Sequence, residues 1–313
     1  MSYKYIMSIK IKVFSSFCDS ENCKKVFERI CEVMNMPNYG KDKDIYITTD
    51  DDYTHAIILN TAMPILKNIP KKNVIGLAFE PPVFLRLSLE FVQYAEEFIS
   101  KYYIGDTYDL PEPFIEHYGY MWHATPLTYV PIKNKTISIM ISEKNDAPGH
   151  KYRHMLVQRI LSLNLPVDIY GRGCELYNNY QGPTASSENS NSIFPFLPKK
   201  IHKDPRLKGK FEDLEPYESY DFHISIENFK TSNYFSEKIT NPLLCGTTPI
   251  YWGCKNIDKY FPDSTITMSG SVDSDILMIT NILKRPNDFK KKIIVDEVKK
   301  SINILKNIDT LFA

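Results

Sequence analysis

The sequence predicts an α/β protein built from two Rossmann-like domains facing a central cleft. Three observations predict it. At 313 residues the chain exceeds what one hydrophobic core usually organises. Short continuous apolar runs alternate with longer segments of helical period, the pattern of parallel strands crossed by helices. The alternation occurs twice, before and after a proline-rich stretch.

In the first series, Tyr5 to Phe14 alternates as a strand does. Glu21 to Met34 places Val26, Phe27, Ile30 and Val33 at helical spacing. His55 to Leu59 and Asn73 to Ala78 read as short buried strands. Phe84 to Ile99 carries Leu85, Leu87, Phe91, Val92, Ala95, Phe98 and Ile99 on one face and reads as a single helix. Pro111, Pro113, Pro126 and Pro131 then mark a crossover between domains.

In the second series, Thr136 to Ile141 reads as a strand, Tyr152 to Leu163 as a helix and Pro166 to Tyr170 as a strand. Residues 182–200 are rich in Ser, Asn and Pro and predict an exposed loop. Asp221 to Ile226 is strand-like, Ser236 to Leu244 helical and Thr248 to Tyr251 a buried strand. From Asp288 to Phe312 the residues Phe289, Ile293, Val298, Ile302, Leu305 and Phe312 recur at roughly helical spacing between lysines. Such a helix closes on the body of the protein, or offers a peripheral membrane or dimerisation surface. The boundaries expected are 1–130, 131–285 and a helical tail over 286–313.

Composition narrows the classes. Lys+Arg and Asp+Glu both total 38, a formal net charge of zero, which argues against a general nucleic-acid partner. The six cysteines, Cys18, Cys23, Cys31, Cys174, Cys245 and Cys254, include no CxxC pair, so a zinc site is not expected and the thiols read as reduced. No signal peptide or membrane-spanning run is visible, which predicts a cytoplasmic protein or a trimmed form of an anchored one. The sequon at Asn134 would then be idle.

The most informative stretch is Tyr220 to Gly253. A strand ends at Glu227-Asn228, a polar loop follows, and Ser236-Glu237-Lys238 opens a helix. A helix start offers free N–H groups and a positive dipole end, and Lys238 and the Ser236 hydroxyl add a cation and a donor, a combination suited to a diphosphate. Glu237 is placed to accept from ribose hydroxyls. Gly246, Pro249 and Gly253 would let backbone approach the site. Residue chemistry alone leaves two readings open: a phosphate-bearing ligand at a strand–loop–helix junction, or an ordinary charged first turn.

Glu227-Asn228, Tyr234, Ser236-Glu237-Lys238, Gly246 and Pro249-Ile250-Tyr251-Trp252-Gly253 together resemble the donor motif of the α-1,3-fucosyltransferases, glycosyltransferase family 10. Pro166 to Gly171 is similar to the family's strand ending in Asp-hydrophobic-Tyr-Gly. Ser142 to Leu156 is similar to its Ser-Asn…Arg segment. The resemblance covers about residues 135–285; the first half matches only in its βα pattern. It implies a GT-B fold, with an acceptor-side domain over 1–130 and a nucleotide-sugar donor domain over 131–285.

The resemblance also implies an inverting transfer of fucose from GDP-fucose to a glycan hydroxyl, with no further cofactor. A divalent metal stays unassigned. Arg153 and Lys238 would stabilise the departing diphosphate, and Asn228, Tyr234 and Glu237 would hold the nucleotide sugar. The family's base lies at a strand end in the first domain, and here Glu80, before Pro81-Pro82, occupies such a position. Its context departs from the family's Glu-Ser-Pro. The alternatives are a transferase using another nucleotide-deoxysugar, and a binding protein for glycan or nucleotide without turnover.

Three decoys are set aside. Asp50-Asp51-Asp52 looks like a metal-binding DxD but reads as a solvated turn. Gly171-Arg172-Gly173 lacks the third glycine of a dinucleotide motif. His223 falls inside a strand and reads as a packed histidine.

Overall fold

A computed structural model describes residues 8–41, 43–117, 127–178, 204–212 and 214–313. The loop expected at 182–200, the start of the first strand and part of the proline-rich crossover lie outside the described residues.

Two parallel sheets form the frame, each with six strands among the described residues. The first contains β1 (Ile9–Ser15), β2 (Ile45–Ile47), β3 (His55–Leu59), β4 (Val74–Leu77), β5 (Lys101–Ile104) and β6 (Phe114–Glu116), in the order β2-β1-β3-β4-β5-β6. The second contains β7 (Lys135–Met140), β8 (Val167–Tyr170), β9 (Leu207–Gly209), β10 (Tyr220–Ile226), β11 (Thr248–Trp252) and β12 (Ile266–Thr267), in the order β12-β11-β10-β7-β8-β9. Numbered from β7, that is the 3-2-1-4-5-6 order of a dinucleotide-binding sheet, whose strand order reverses between β7 and β10. The first sheet reverses between β1 and β3.

Helices cover both faces of each sheet, which explains the nearly continuous apolar strands. Ile57 and Leu59 face a core shared with α1 (Ser20–Val33), whereas Ala56 and Ile58 face Phe91 and Ala95 of α3 (Leu89–Phe98). The helix predicted over Phe84–Ile99 is two. The four-residue α2 (Pro82–Leu85) ends at Arg86, in the left-handed region at φ 50°, and Ser88 restarts the chain as the N-cap of α3. In the second half, α4 (Pro148–Ser162) begins a turn earlier than predicted, with Pro148 at its first position. It packs on one face of the sheet with α7 (Val272–Lys284), and the opposite face carries α5 (Glu215–Glu218) and α6 (Glu237–Leu244).

The tail is not one helix. After an irregular stretch, α8 (Val295–Ile302) places Val298 and Ile302 in a core with Phe235, Ile239 and Leu243 of the second half. Beyond Asn303 the chain crosses to the first half, where Ile304, Leu305 and, on α9 (Ile308–Phe312), Ile308 and Leu311 join the core beneath α1. The Tyr103 hydroxyl donates to Leu311 O at 3.0 Å, and Phe312 meets the His55 ring edge-on. The apolar positions that suggested a membrane or dimer surface are therefore spent on internal packing. No helix among the described residues is long and apolar enough to cross a membrane.

Leu311 has no exposed surface. Leu311→Ala should lower the unfolding free energy by about 2–5 kcal/mol, through lost burial and the cavity left behind. Urea denaturation would test this, and an unchanged midpoint would show that the tail is not anchored as described.

Candidate active site

Parallel sheets of this order bind ligands beyond the strand ends where the order reverses. In the second sheet that point lies after β7 and β10, and there two segments interlock. The start of α4 lies against the loop after β10, with Gly149 N–H donating to Asn228 O at 2.9 Å. A Cβ on Gly149 would stand 1.8 Å from Glu227 O, so only glycine permits this approach.

From the second turn of α4, Arg153 reaches over this contact. Its Nη2 donates to Asn228 Oδ1 at 2.6 Å, while its buried Nε has no hydrogen-bond partner among the described residues. Burial pushes the guanidinium pKa below its ordinary value, against the opposing pull of Glu227 and Glu237. A buried cation with an unsatisfied N–H is arranged to gain from an incoming anion.

The loop after β10 returns to α6 under the control of Glu227. This carboxylate is fully buried and accepts from Ser236 N at 2.9 Å and Ser236 Oγ at 2.6 Å. Ser236 is the N-cap of α6, so Glu227 fixes the start of that helix. Burial holds the Glu227 pKa above the ordinary range even though the Lys238 ammonium pulls it down. Lys238 Nζ lies 3.9 Å from Glu227 Oε2, 3.1 Å from Ser236 Oγ and 2.8 Å from Glu237 Oε1. Burial disfavours its charge, but Glu237 and Glu227 outweigh burial and hold its pKa above the ordinary lysine value. Lys238 therefore stays charged.

Tyr234 is buried beside these groups. Burial, with Glu227, Glu80 and Glu237 around it, pushes its phenol well up. Its loop is clamped by the first half: Asn233 Nδ2 donates to Gly105 O at 3.3 Å, and Phe229 packs edge-on against Phe84 at 4.8 Å.

Glu80 follows β4 on the opposite wall. Its side chain is open to water yet enclosed by the surrounding walls, and this desolvation raises its pKa. Lys238 opposes the rise, while Glu237 and Glu227 add to it. Glu80, Arg153, Tyr234, Glu237 and Lys238 thus lie within electrostatic reach of one another, and Asn228 is hydrogen-bonded to Arg153.

Some sequence expectations need correcting. Gly246 is not at the cleft. At φ 66° it closes the far end of α6, whereas Gly253 does lie close to Glu227. The Ser236 hydroxyl is engaged with Glu227 and is not a free phosphate donor. Gly149 and Asn233 act through contacts between segments distant in sequence, and the Glu227 carboxylate through its hold on the start of α6. A glycine directly after the helix-opening Pro148 was the available signal for the first.

The decoys behave as read. Asp51 pairs with Lys67 and Lys12, which lower its pKa to about 2, and Asp52 pairs with Lys10. They sit at the amino-terminal edge of β1 and β3, away from the cleft. Gly171, at φ 98°, and Gly173 let backbone pass close to Ile141 and Ser142.

His223 is buried, with Nδ1 2.8 Å from Ser138 Oγ, and burial pushes its pKa down to about 3. It is neutral when folded but protonates near pH 6.5 when unfolded, so its contribution is whole above that pH and is lost as pH falls toward 3. Between pH 7 and 5 the wild type should lose roughly 1–2 kcal/mol more than His223→Asn. Urea unfolding at both pH values would test this, and equal losses would refute it.

Residues 130–270 match the family described as glycosyltransferase family 10 (fucosyltransferase), C-terminal part. A protein of Acanthamoeba polyphaga mimivirus named as a fucosyltransferase is 26% identical over 113 residues, 32% of this chain and 18% of that protein. GDP-fucose protein O-fucosyltransferase 3 of Danio rerio is 24% identical over 195 residues, 59% of this chain and 38% of that protein. The matches thus span well under half the length of either relative. A solved α1,3-fucosyltransferase with GDP-fucose is similar in fold, with a TM-score of 0.50 at 14% identity, covering 100% of this chain and 92% of that one. Residues 130–270 are thus similar to the C-terminal part of glycosyltransferase family 10, and the two parallel sheets share the GT-B fold of the solved α1,3-fucosyltransferase.

Proposed function

We propose that the protein transfers fucose from GDP-fucose to a hydroxyl of a glycan acceptor, with inversion at the anomeric carbon, in the manner of an α-1,3-fucosyltransferase. Residues 1–130 would hold the acceptor, 131–285 the donor, and 286–313 would join the two. One observation carries the reading. Two cations, Arg153 and Lys238, meet where the strand order of the second sheet reverses, facing a carboxylate on the opposite wall.

In this mechanism Glu80 takes the acceptor O–H proton as that oxygen bonds to the anomeric carbon. The bond from that carbon to the β-phosphate oxygen breaks, and GDP leaves. Negative charge grows on the phosphate, so cations fixed beside it stabilise the transition state more than the ground state. Asn228, Tyr234 and Glu237 orient the nucleotide sugar, with Glu237 accepting from ribose hydroxyls. The raised pKa of Glu80 suits a base, because a carboxylate of higher pKa takes a proton more readily. No step is routed through a metal, and a divalent ion stays unassigned.

Incubating the protein with GDP-fucose, other GDP-deoxyhexoses and UDP-sugars, and measuring nucleotide release with a glycan panel, tests the donor. GDP-fucose should be consumed. Turnover of a non-GDP sugar alone would defeat the fucose assignment and leave the transferase class standing. GDP binding without turnover of any donor would favour a non-catalytic protein.

A further inference from the structure

We propose that Cys18 and Cys23 form a reversible dithiol–disulfide couple at the crevice of the first sheet. The two sulfurs lie 2.9 Å apart, inside ordinary nonbonded contact. They need close by less than about 1 Å to reach the bonded separation of about 2.05 Å. The local fold explains the meeting. Asp19 is the N-cap of α1 and accepts from Asn22 N–H, which makes Cys18 the residue before the cap and Cys23 the fourth helical residue. Side chains at those two positions commonly touch and fix the entry of the chain into a helix. Here both are cysteines, so a packing contact can become covalent.

The chemistry is ordered by access. Of the six cysteines only Cys18 is partly exposed; Cys23, Cys31, Cys174, Cys245 and Cys254 are buried. Burial and the neighbouring Cys18 raise the Cys23 thiol, so the more accessible Cys18 is the sulfur that meets an oxidant first. Cys18 thiolate therefore attacks a small disulfide such as glutathione disulfide and expels one glutathione thiolate. Cys23, once deprotonated, attacks the Cys18 sulfur of the mixed disulfide and expels the second. Two protein thiols are oxidised and one small disulfide is reduced to two thiols.

The position gives the bond a consequence. Residues 16–19 leave β1 where the strand order of the first sheet reverses, and they carry Phe17, 52% exposed, whose ring lies 6.4 Å from Phe79. Phe79 precedes Glu80. A Cys18–Cys23 bond ties this turn to the first turns of α1 and stiffens the wall on which Glu80 stands.

The test uses the full chain. Wild type treated with glutathione disulfide should lose two hydrogens with no retained adduct, give a peptide linking Cys18 to Cys23, and recover both thiols on reduction. Cys23→Ser should keep glutathione on Cys18, and Cys18→Ser should take none. Amides of residues 16–23 should exchange more slowly in the oxidised protein. Two free thiols after treatment, a wild type that retains the glutathione adduct, or unchanged exchange would each overturn the proposal.

Discussion

Lys238→Ala is expected to lower kcat/KM for the donor by about a hundred- to a thousandfold, the usual effect of removing one fixed charge-stabilising donor from a transition state. The size follows from how the ammonium is held. It is largely shielded from water, charged at neutral pH, and placed at the first turn of α6, whose positive dipole end adds to the same field. Its partners Ser236 Oγ and Glu237 Oε1 orient it without neutralising it fully. The effect should fall mainly on kcat, because charge on the phosphate grows only as the bond to the sugar breaks. Steady-state GDP release with isothermal titration of GDP would separate the two contributions. The fully buried Glu227 also loses its nearest cation, so a thermal melt must accompany the kinetics. A folded variant with kcat within a few-fold of wild type would remove Lys238 from the mechanism.

On the proposed mechanism Glu80→Gln should abolish transfer while leaving GDP affinity unchanged, since the donor is assigned to residues 131–285 and Glu80 belongs to the first half. Glutamine keeps the shape but cannot accept a proton. The wild-type pH profile carries the same signature. Desolvation raises the Glu80 pKa, so the acid limb of kcat/KM should lie above that of an ordinary glutamate, activity rising as the carboxyl ionises. Lys238 holds that pKa down. In Lys238→Ala the acid limb of the residual activity should therefore move to higher pH. Full transfer by Glu80→Gln, or an acid limb indifferent to Lys238, would assign the base elsewhere.

Much of this site was legible because its polar residues fall within short segments. Glu227 to Lys238 spans one strand end, one loop and one helix start, and each has a local signature. Arg153 was singled out only through the resemblance of Ser142 to Leu156 to the family's Arg-bearing segment. The contact that joins those segments was not, because Gly149 meets Glu227 across a long sequence separation and nothing in either stretch alone requires it. The same limit explains the strands that went unread. β2, β5, β6, β9 and β12 have two to four residues each, too few to show a period, and are defined only by the neighbour they pair with. The break at Arg86 was hidden because the apolar spacing on either side fits one continuous face. The tail showed its apolar positions but not their destination, because a helical stripe looks alike whether it serves one core or two.

That tail has a mechanical meaning. Among the described residues the polypeptide changes halves twice, once between β6 and β7 and once beyond α8. Two bodies held by a single thread can swivel freely. With a second attachment the pair can swing like a door, about the line through both attachments, and little else. Arg153, Lys238 and Glu80 would then approach and part along a single arc, so that shutting on a donor returns them to the same alignment every cycle.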